Sequence, residues 1–144
     1  MNSFASCGEN WSFAYQQYDN YQLLLTRWVG SWNYHAAGVT LSNGTWYFVA
    51  VVWDHDDHTA EFFVNASSIG ADSSGSTASQ STADNQFRLG RDAYTYWDGL
   101  MDQAGFWSRK LTSDEITYLY NSGAGRSYAD LVPASGRRRV TVIQ

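Results

Sequence analysis

One proline, one cysteine and a charged fraction of 16% in 144 residues put several classes of protein out of reach. The lone Cys7 cannot make an intramolecular disulfide, so the fold must stand on packing. No stretch approaches the roughly 18 apolar residues of a membrane-spanning helix. The opening "MNSFASCGENW" has neither the basic start nor the apolar run of a signal peptide, so export is not expected to be encoded within it. Positive charge is scarce as well. Three of the nine basic residues form the run Arg137 to Arg139, which leaves 14 acids against six bases in residues 1–136. Such a body does not suit a phosphate backbone, so no nucleic-acid partner is expected, and the arginines read as a solvated basic end. Gly-x-Ser-x-Gly elbows, phosphate loops and zinc-type histidine spacings are also missing. Three Asn-x-Ser/Thr triplets, at Asn10, Asn43 and Asn65, would matter only in a eukaryotic secretory pathway.

Aromatic residues are plentiful at 17%, and the length is that of one domain with one core. From Asn10 the chain reads as short strands cut by turn chemistry: "NWSFAYQQ", "YQLLLTRW", "YHAAGVTL", then "TWYFVAVVW" after the turn "SNG". The last of these is apolar on both faces, which predicts a central strand covered on both sides. "DHDDH" looks like a hairpin tip with "TAEFFVNA" returning, and "FRLG" and "GLMDQAGFW" are the final strands expected. Residues 66–86 are rich in Ser, Ala, Thr and Gly and predict a long surface loop or a weak edge.

One helix interrupts this pattern. Thr112 and Glu115 have the spacing of a capping box, Asp114 adds negative charge to the first turn, and Ile116, Leu119 and Tyr120 form one apolar stripe. Gly123 is placed to end it. About three turns are marginal in isolation, so the stripe must pack on a sheet.

Residues 44–123 resemble the laminin G-like jelly rolls of the concanavalin A-like lectin/glucanase superfamily, pentraxins included. The matching residues are Trp46, Phe63 with Asn65, Leu89 with Gly90, Trp97 with Gly99 and Asp102, Trp107, Leu111, Glu115 with Ile116, and Leu119 with Tyr120. The resemblance implies an all-β, antiparallel two-sheet jelly-roll sandwich with one short C-terminal helix at the edge of the final strand. Two departures stand out. Ala66 occupies a turn position that usually carries glycine, and the chain begins too late to hold all of the family's first strands, including the partner of the final one. The sandwich is expected over residues 1–132. Residues 133–144 form a basic tail, either disordered or an extra strand in which Val140 and Val142 alternate. A bare sheet edge invites pairing, so a homodimer through that edge is a candidate assembly.

Catalysis is not expected. The glucanase branch of the superfamily carries Glu-x-Asp-x-x-Glu on one strand, and this chain has only Glu9, Glu61 and Glu115. For metal, the resemblance makes Asp102 a calcium candidate, while Asp54, Asp56 and Asp57 at the hairpin tip are weaker oxygen ligands beside His55 and His58. For binding, sugar rings stack on Trp and Tyr while neighbouring carboxylates and amides take the hydroxyls. The candidates are Tyr94, Tyr96 and Asp92 in "RDAYTYWD", with Trp28 and Trp32 in "RWVGSWNY" and Tyr34 beside them. Trp97 is expected in the core. The function expected is a non-catalytic module for glycans or glycosylated surfaces, in an extracellular, cell-surface or virion protein. An assembly module and a hydrolase remnant are the alternatives.

Overall fold

The computed structural model describes residues 2–7, 10–17, 20–78, 86–92 and 94–131; Glu9 and the tail at 133–144 lie outside them. Among the described residues, eight strands form two antiparallel sheets. β1 (Asn2–Cys7), β2 (Trp11–Gln16), β3 (Gln22–Trp28), β4 (Trp32–Gly38) and β8 (Phe87–Leu89) make a five-stranded sheet in the order β4-β3-β2-β1-β8. β5 (Val49–Asp54), β6 (Thr59–Val64) and β7 (Ser67–Asp72) make a three-stranded sheet in chain order. α1 spans Ser113–Tyr120 and a short α2 spans Tyr128–Leu131.

The sheets form because alternate residues are apolar and find each other across the gap. Phe13 and Tyr15 of β2 stand opposite Leu25 and Leu23 of β3 and face Phe62 and Ala60 of β6, all buried. β1 bulges at Phe4, between the paired residues Ser3 and Ala5, and Phe4 packs 5.2 Å from Phe13 and 4.5 Å from Trp97, ring to ring. The other face of the three-stranded sheet is closed by α1, where Ile116 meets Val52 and Phe63. The helix thus covers a sheet face, as its stripe required. Its capping box is complete, with Thr112 Oγ1 accepting from the Glu115 N–H and the Glu115 carboxylate accepting from the Thr112 N–H.

Several sequence expectations need correction. β1 was not anticipated as a strand, yet it lies between β2 and β8. β5 is covered on both faces but forms an edge of its own sheet, with β6 in the middle. Trp46 precedes β5 and is exposed rather than leading a central strand. "GLMDQAGFW" forms no strand: among the described residues no main-chain partner pairs with it, and every residue from 99 to 107 is exposed. A strand pattern without a neighbouring strand has no ladder to join. The helix ends at Asn121, whose left-handed backbone (φ 48°) takes the capping role before Gly123 is reached. Residues 66–86 divide into the mostly exposed edge strand β7 and the segment that follows it.

At the β6–β7 turn, Asn65 (φ 49°) and Ala66 (φ 65°) are both left-handed, the backbone of a two-residue type I′ hairpin. Asn65 suits it and clamps Phe48 through both its N–H and its side-chain oxygen. Ala66 adopts the conformation against its preference, which gives the glycine departure seen in the sequence a physical cost.

Candidate functional site

The stretch after β8 folds back on itself as a small hairpin. The Gly90 N–H donates to Phe4 O at 2.7 Å, Trp97 N–H returns to Gly90 O at 2.8 Å, and Arg91 pairs with Tyr96 between them. Gly90 (φ 71°) supplies the left-handed residue at which the chain leaves the sheet. Ser6 Oγ, buried on β1, donates to Arg91 O at 2.9 Å and ties the base of the hairpin to the five-stranded sheet.

Asp92 organises the tip. Its Oδ1 accepts from the Tyr94 and Thr95 N–H groups at 2.7 Å each, and its Oδ2 accepts from Thr95 Oγ1 at 2.9 Å. This is an aspartate turn, in which a short carboxylate replaces main-chain acceptors. Asp92 is 8% exposed and both its oxygens are engaged, so it shapes the tip rather than offering free acceptors. Tyr94 and Tyr96 are then held outward, 77% and 66% exposed, with the Arg91 guanidinium 5.3 Å from the Tyr96 ring. Trp97 turns the opposite way and packs on Phe4 beside the core, where the sequence placed it.

The hairpin base, Gly90 and Trp97, also lines a shallow open groove with Leu89, Met101, Asp102 and Gln103. Asp102 is exposed, and its Oδ1 accepts from the Gln103 N–H at 2.8 Å. Among the described residues, no group of three or more His, Cys, Asp or Glu side chains is placed to hold a metal ion. At the β5–β6 tip, Asp54 Oδ1 accepts from the Asp56 and Asp57 N–H groups while Oδ2 pairs with Lys110. The hydrogen bond from that lysine holds the Asp54 carboxyl below its ordinary value. Asp54 therefore fastens the hairpin tip to the residues leading into α1. Asp56 and Asp57 are exposed beside it, and the His55 and His58 rings lie 5.8 Å apart.

Trp28 and Trp32 face each other across the β3–β4 hairpin, edge to face at 5.3 Å. Trp32 and Tyr34 are exposed, while Trp28 is half-buried. With β4 and β8 at opposite edges of the sheet, four strand spacings, about 19 Å, separate this aromatic pair from the strand that carries the Tyr94–Tyr96 hairpin. The structure thus brings Tyr94, Tyr96 and Asp92 together, sets Asp102 near their base, and leaves Trp28 and Trp32 as a separate patch.

Two buried polar residues escaped the sequence reading. Arg27 and His35 are 2% and 0% exposed on the inner face of β3 and β4. The signal was there: Leu23, Leu25 and Arg27 alternate inward, and His35 stands directly across from Leu25.

No curated protein matches the chain. A solved structure of an S-layer domain-containing protein (residues 221–444) from Clostridium thermocellum ATCC 27405 is similar at 20% identity and a TM-score of 0.46, covering 80% of this chain. The chain spans 64% of that structure's length. Residues 1–117 match the family Laminin_G_3, described as concanavalin A-like lectin/glucanases superfamily. With two antiparallel sheets stacked on one core and a short helix on the outer face, the chain belongs to this laminin G-like family of the concanavalin A-like lectin/glucanases superfamily.

Proposed function

We propose that the chain is a non-catalytic recognition module that binds glycans on the hairpin of residues 90–97, as part of an extracellular, cell-surface or virion protein. Family membership and the absence of Glu-x-Asp-x-x-Glu from the sequence support a module without catalysis. The observation that carries the reading is the pair Tyr94 and Tyr96, displayed on a tip whose backbone is already tied by Asp92. Flat aromatic faces held rigidly outward meet the C–H faces of sugar rings with little ordering cost on binding. Asp98 and the groove around Asp102 would supply hydrogen-bond partners at the base. The test is glycan-array and calorimetric binding of Tyr94→Ala/Tyr96→Ala against the unmodified protein. Sugar binding should fall by a few kcal/mol at most while stability stays within about 1 kcal/mol, because exposed residues add little to the core. A double variant that unfolds would remove the tip from consideration.

Calcium belongs to the same proposal through Asp102. Added calcium should raise Tm and Asp102→Asn should abolish the rise. A melting curve indifferent to both calcium and chelator leaves Asp102 a purely structural role.

A second reading, assembly through the β8 edge, which pairs with no further strand among the described residues, draws on a separate observation. Phe87, Leu89, Leu100 and Phe106 are exposed along that side, with Phe87 and Phe106 ring to ring at 5.9 Å. Sizing chromatography that shows a stable dimer without any sugar ligand would favour it.

A further inference from the structure

The two sheets approach each other most closely where β4 and β7, each an edge strand, run side by side. Here a main-chain N–H of one sheet bonds a side chain of the other: Ala36 N–H donates to Asp72 Oδ2 at 2.9 Å. His35 fills the seam and is wholly buried. Its Nδ1–H donates to Asp72 O at 3.1 Å, and its Nε2 has no partner among the described residues. Segment 73–78 lies across it, with the imidazole packed against Gly75 so closely that a Cβ there would not fit. The segment is held by Ser74 N–H on Asp72 Oδ1 (2.8 Å), Ser76 N–H on Asn33 Oδ1 (2.6 Å) and Arg27 Nη2 on Ala78 O (3.4 Å).

The groups facing His35 come from four strands. β3 contributes the Arg27 guanidinium, 3.9 Å over the Trp53 ring, with Nε and Nη1 unpartnered among the described residues. β7 contributes Asp72, whose carboxylate is spent on Ala36 and Ser74. β5 contributes the uncharged Trp53, 5.1 Å from the His35 ring, with His58 6.3 Å from that same indole. β6 presents Ala60 and Phe62 to the interior. With Nδ1–H committed to Asp72 O, a second proton would have to sit on Nε2, where no acceptor waits among the described residues and a buried guanidinium already carries positive charge.

We propose that His35 is the pin of a pH-sensitive latch: taking up a proton in mildly acid solution releases segment 73–78 and opens the β4–β7 seam. Neutral His35 closes the seam, and protonated His35 is accommodated only when it is open. Burial, with the Arg27 charge behind it, holds the imidazole below its ordinary value of 6.5, although Asp72 pulls the other way. The open form therefore binds more protons than the closed one. Closure is fully favoured above about pH 6.5 and weakens as pH falls below it, with the open fraction rising up to tenfold per pH unit for one proton. This device does not rest on the sugar-binding reading.

The experiment is limited proteolysis of segment 73–78 by a broad-specificity protease from pH 8 to pH 5, normalised to an unstructured peptide of the same residues. It compares the unmodified protein with His35→Asn, whose side-chain N–H can still donate to Asp72 O but cannot titrate. Cleavage of the unmodified protein should rise up to tenfold per unit below about pH 6.5, and that of His35→Asn should stay flat. Equal pH dependence in the two proteins, or none in the unmodified one, overturns the latch. Should His35→Asn fail to fold, NMR titration of the three histidines in the unmodified protein decides. One ring titrating below the other two, together with loss of exchange protection at the Ala36 N–H, supports the latch. All three titrating normally with Ala36 still protected rejects it.

Discussion

The two faces of the three-stranded sheet are buried by different means. On the outer face Val52, Phe63 and Ile116 meet with Phe48, Ala50, Ala66 and Leu111 around them, all apolar. On the inner face the larger core of Phe13, Tyr15, Leu23, Leu25 and Phe62 also encloses Arg27 and His35 at one end. The charged pairs near the outer cluster stay at its rim, where Lys110 meets Asp54 and Arg109 meets Glu115. The small outer cluster is thus held by a short helix that could not stand alone, and nothing in its apolar set titrates. The inner one is broad enough to enclose polar groups and takes on their pH dependence.

The strongest way to break this comparison is to empty the outer cluster. Ile116 is 1% exposed and joins α1 to the sheet, so Ile116→Ala should cost about 2–5 kcal/mol. Chemical denaturation would register this as a lower midpoint. A loss below about 0.5 kcal/mol, the range of surface changes, would mean that the helix is not the lid of that face.

A smaller effect of opposite sign is expected at the turn beside it. Ala66→Gly relieves a left-handed alanine and should raise stability by about 1 kcal/mol, read as a higher Tm, against a small loss of packing on the same cluster. A drop in Tm would show that the Ala66 methyl matters more to the cluster than its backbone strain.

Thr112→Ala tests the helix start and should cost on the order of 1 kcal/mol with no change in the inner core's acid response. The pH behaviour of this cap sharpens the contrast further. The Arg109 hydrogen bonds, followed by the Thr112 N–H, hold the Glu115 carboxyl at about 2 against an ordinary 4.5. Because the folded value is the lower one, its contribution is present above about pH 4.5 and fades as pH falls toward 2. Helix fraying followed by circular dichroism should fall in that window, well below the pH at which the His35 seam responds. A single transition covering both would erase the distinction between the two faces.

Much of the fold was legible residue by residue. β2, β3 and β6 follow from short aromatic and branched-chain runs cut by turn chemistry rather than from alternation, since five consecutive residues of β3 are buried. α1 follows from Thr112 and Glu115, whose side chains satisfy each other's main-chain groups without tertiary help. β1 was harder to see: Ser3 and Ser6 are fully buried in the structure, and serine is a residue type whose burial a sequence does not announce. The 99–107 stretch failed in the opposite sense, with a good strand pattern and no partner ladder. Around the candidate site, the tyrosines and flanking aspartates of "RDAYTYWD" could be read, but not that Asp92 would spend both oxygens on its own turn.

The sequence by itself determined the class of the protein: β-strands set by aromatic and branched-chain runs between turn residues, a short helix set by its cap, one core set by length and aromatic content, and the motif order of the laminin G-like family. These depend on local chemistry and on counts of buried and exposed positions, which one chain carries along its length. Only the tertiary structure decided which strands became edges, that Trp28 and Trp32 stand apart from Tyr94 and Tyr96, and that Arg27 and His35 both lie against Trp53 and segment 73–78. Those outcomes depend on which strand lies beside which, and pairing across a sheet joins residues far apart in the chain. Alternation along β3 puts Arg27 on the face of Leu23 and Leu25; only the packed sheets say that Trp53 lies beneath its guanidinium and that two of its nitrogens find no partner among the described residues.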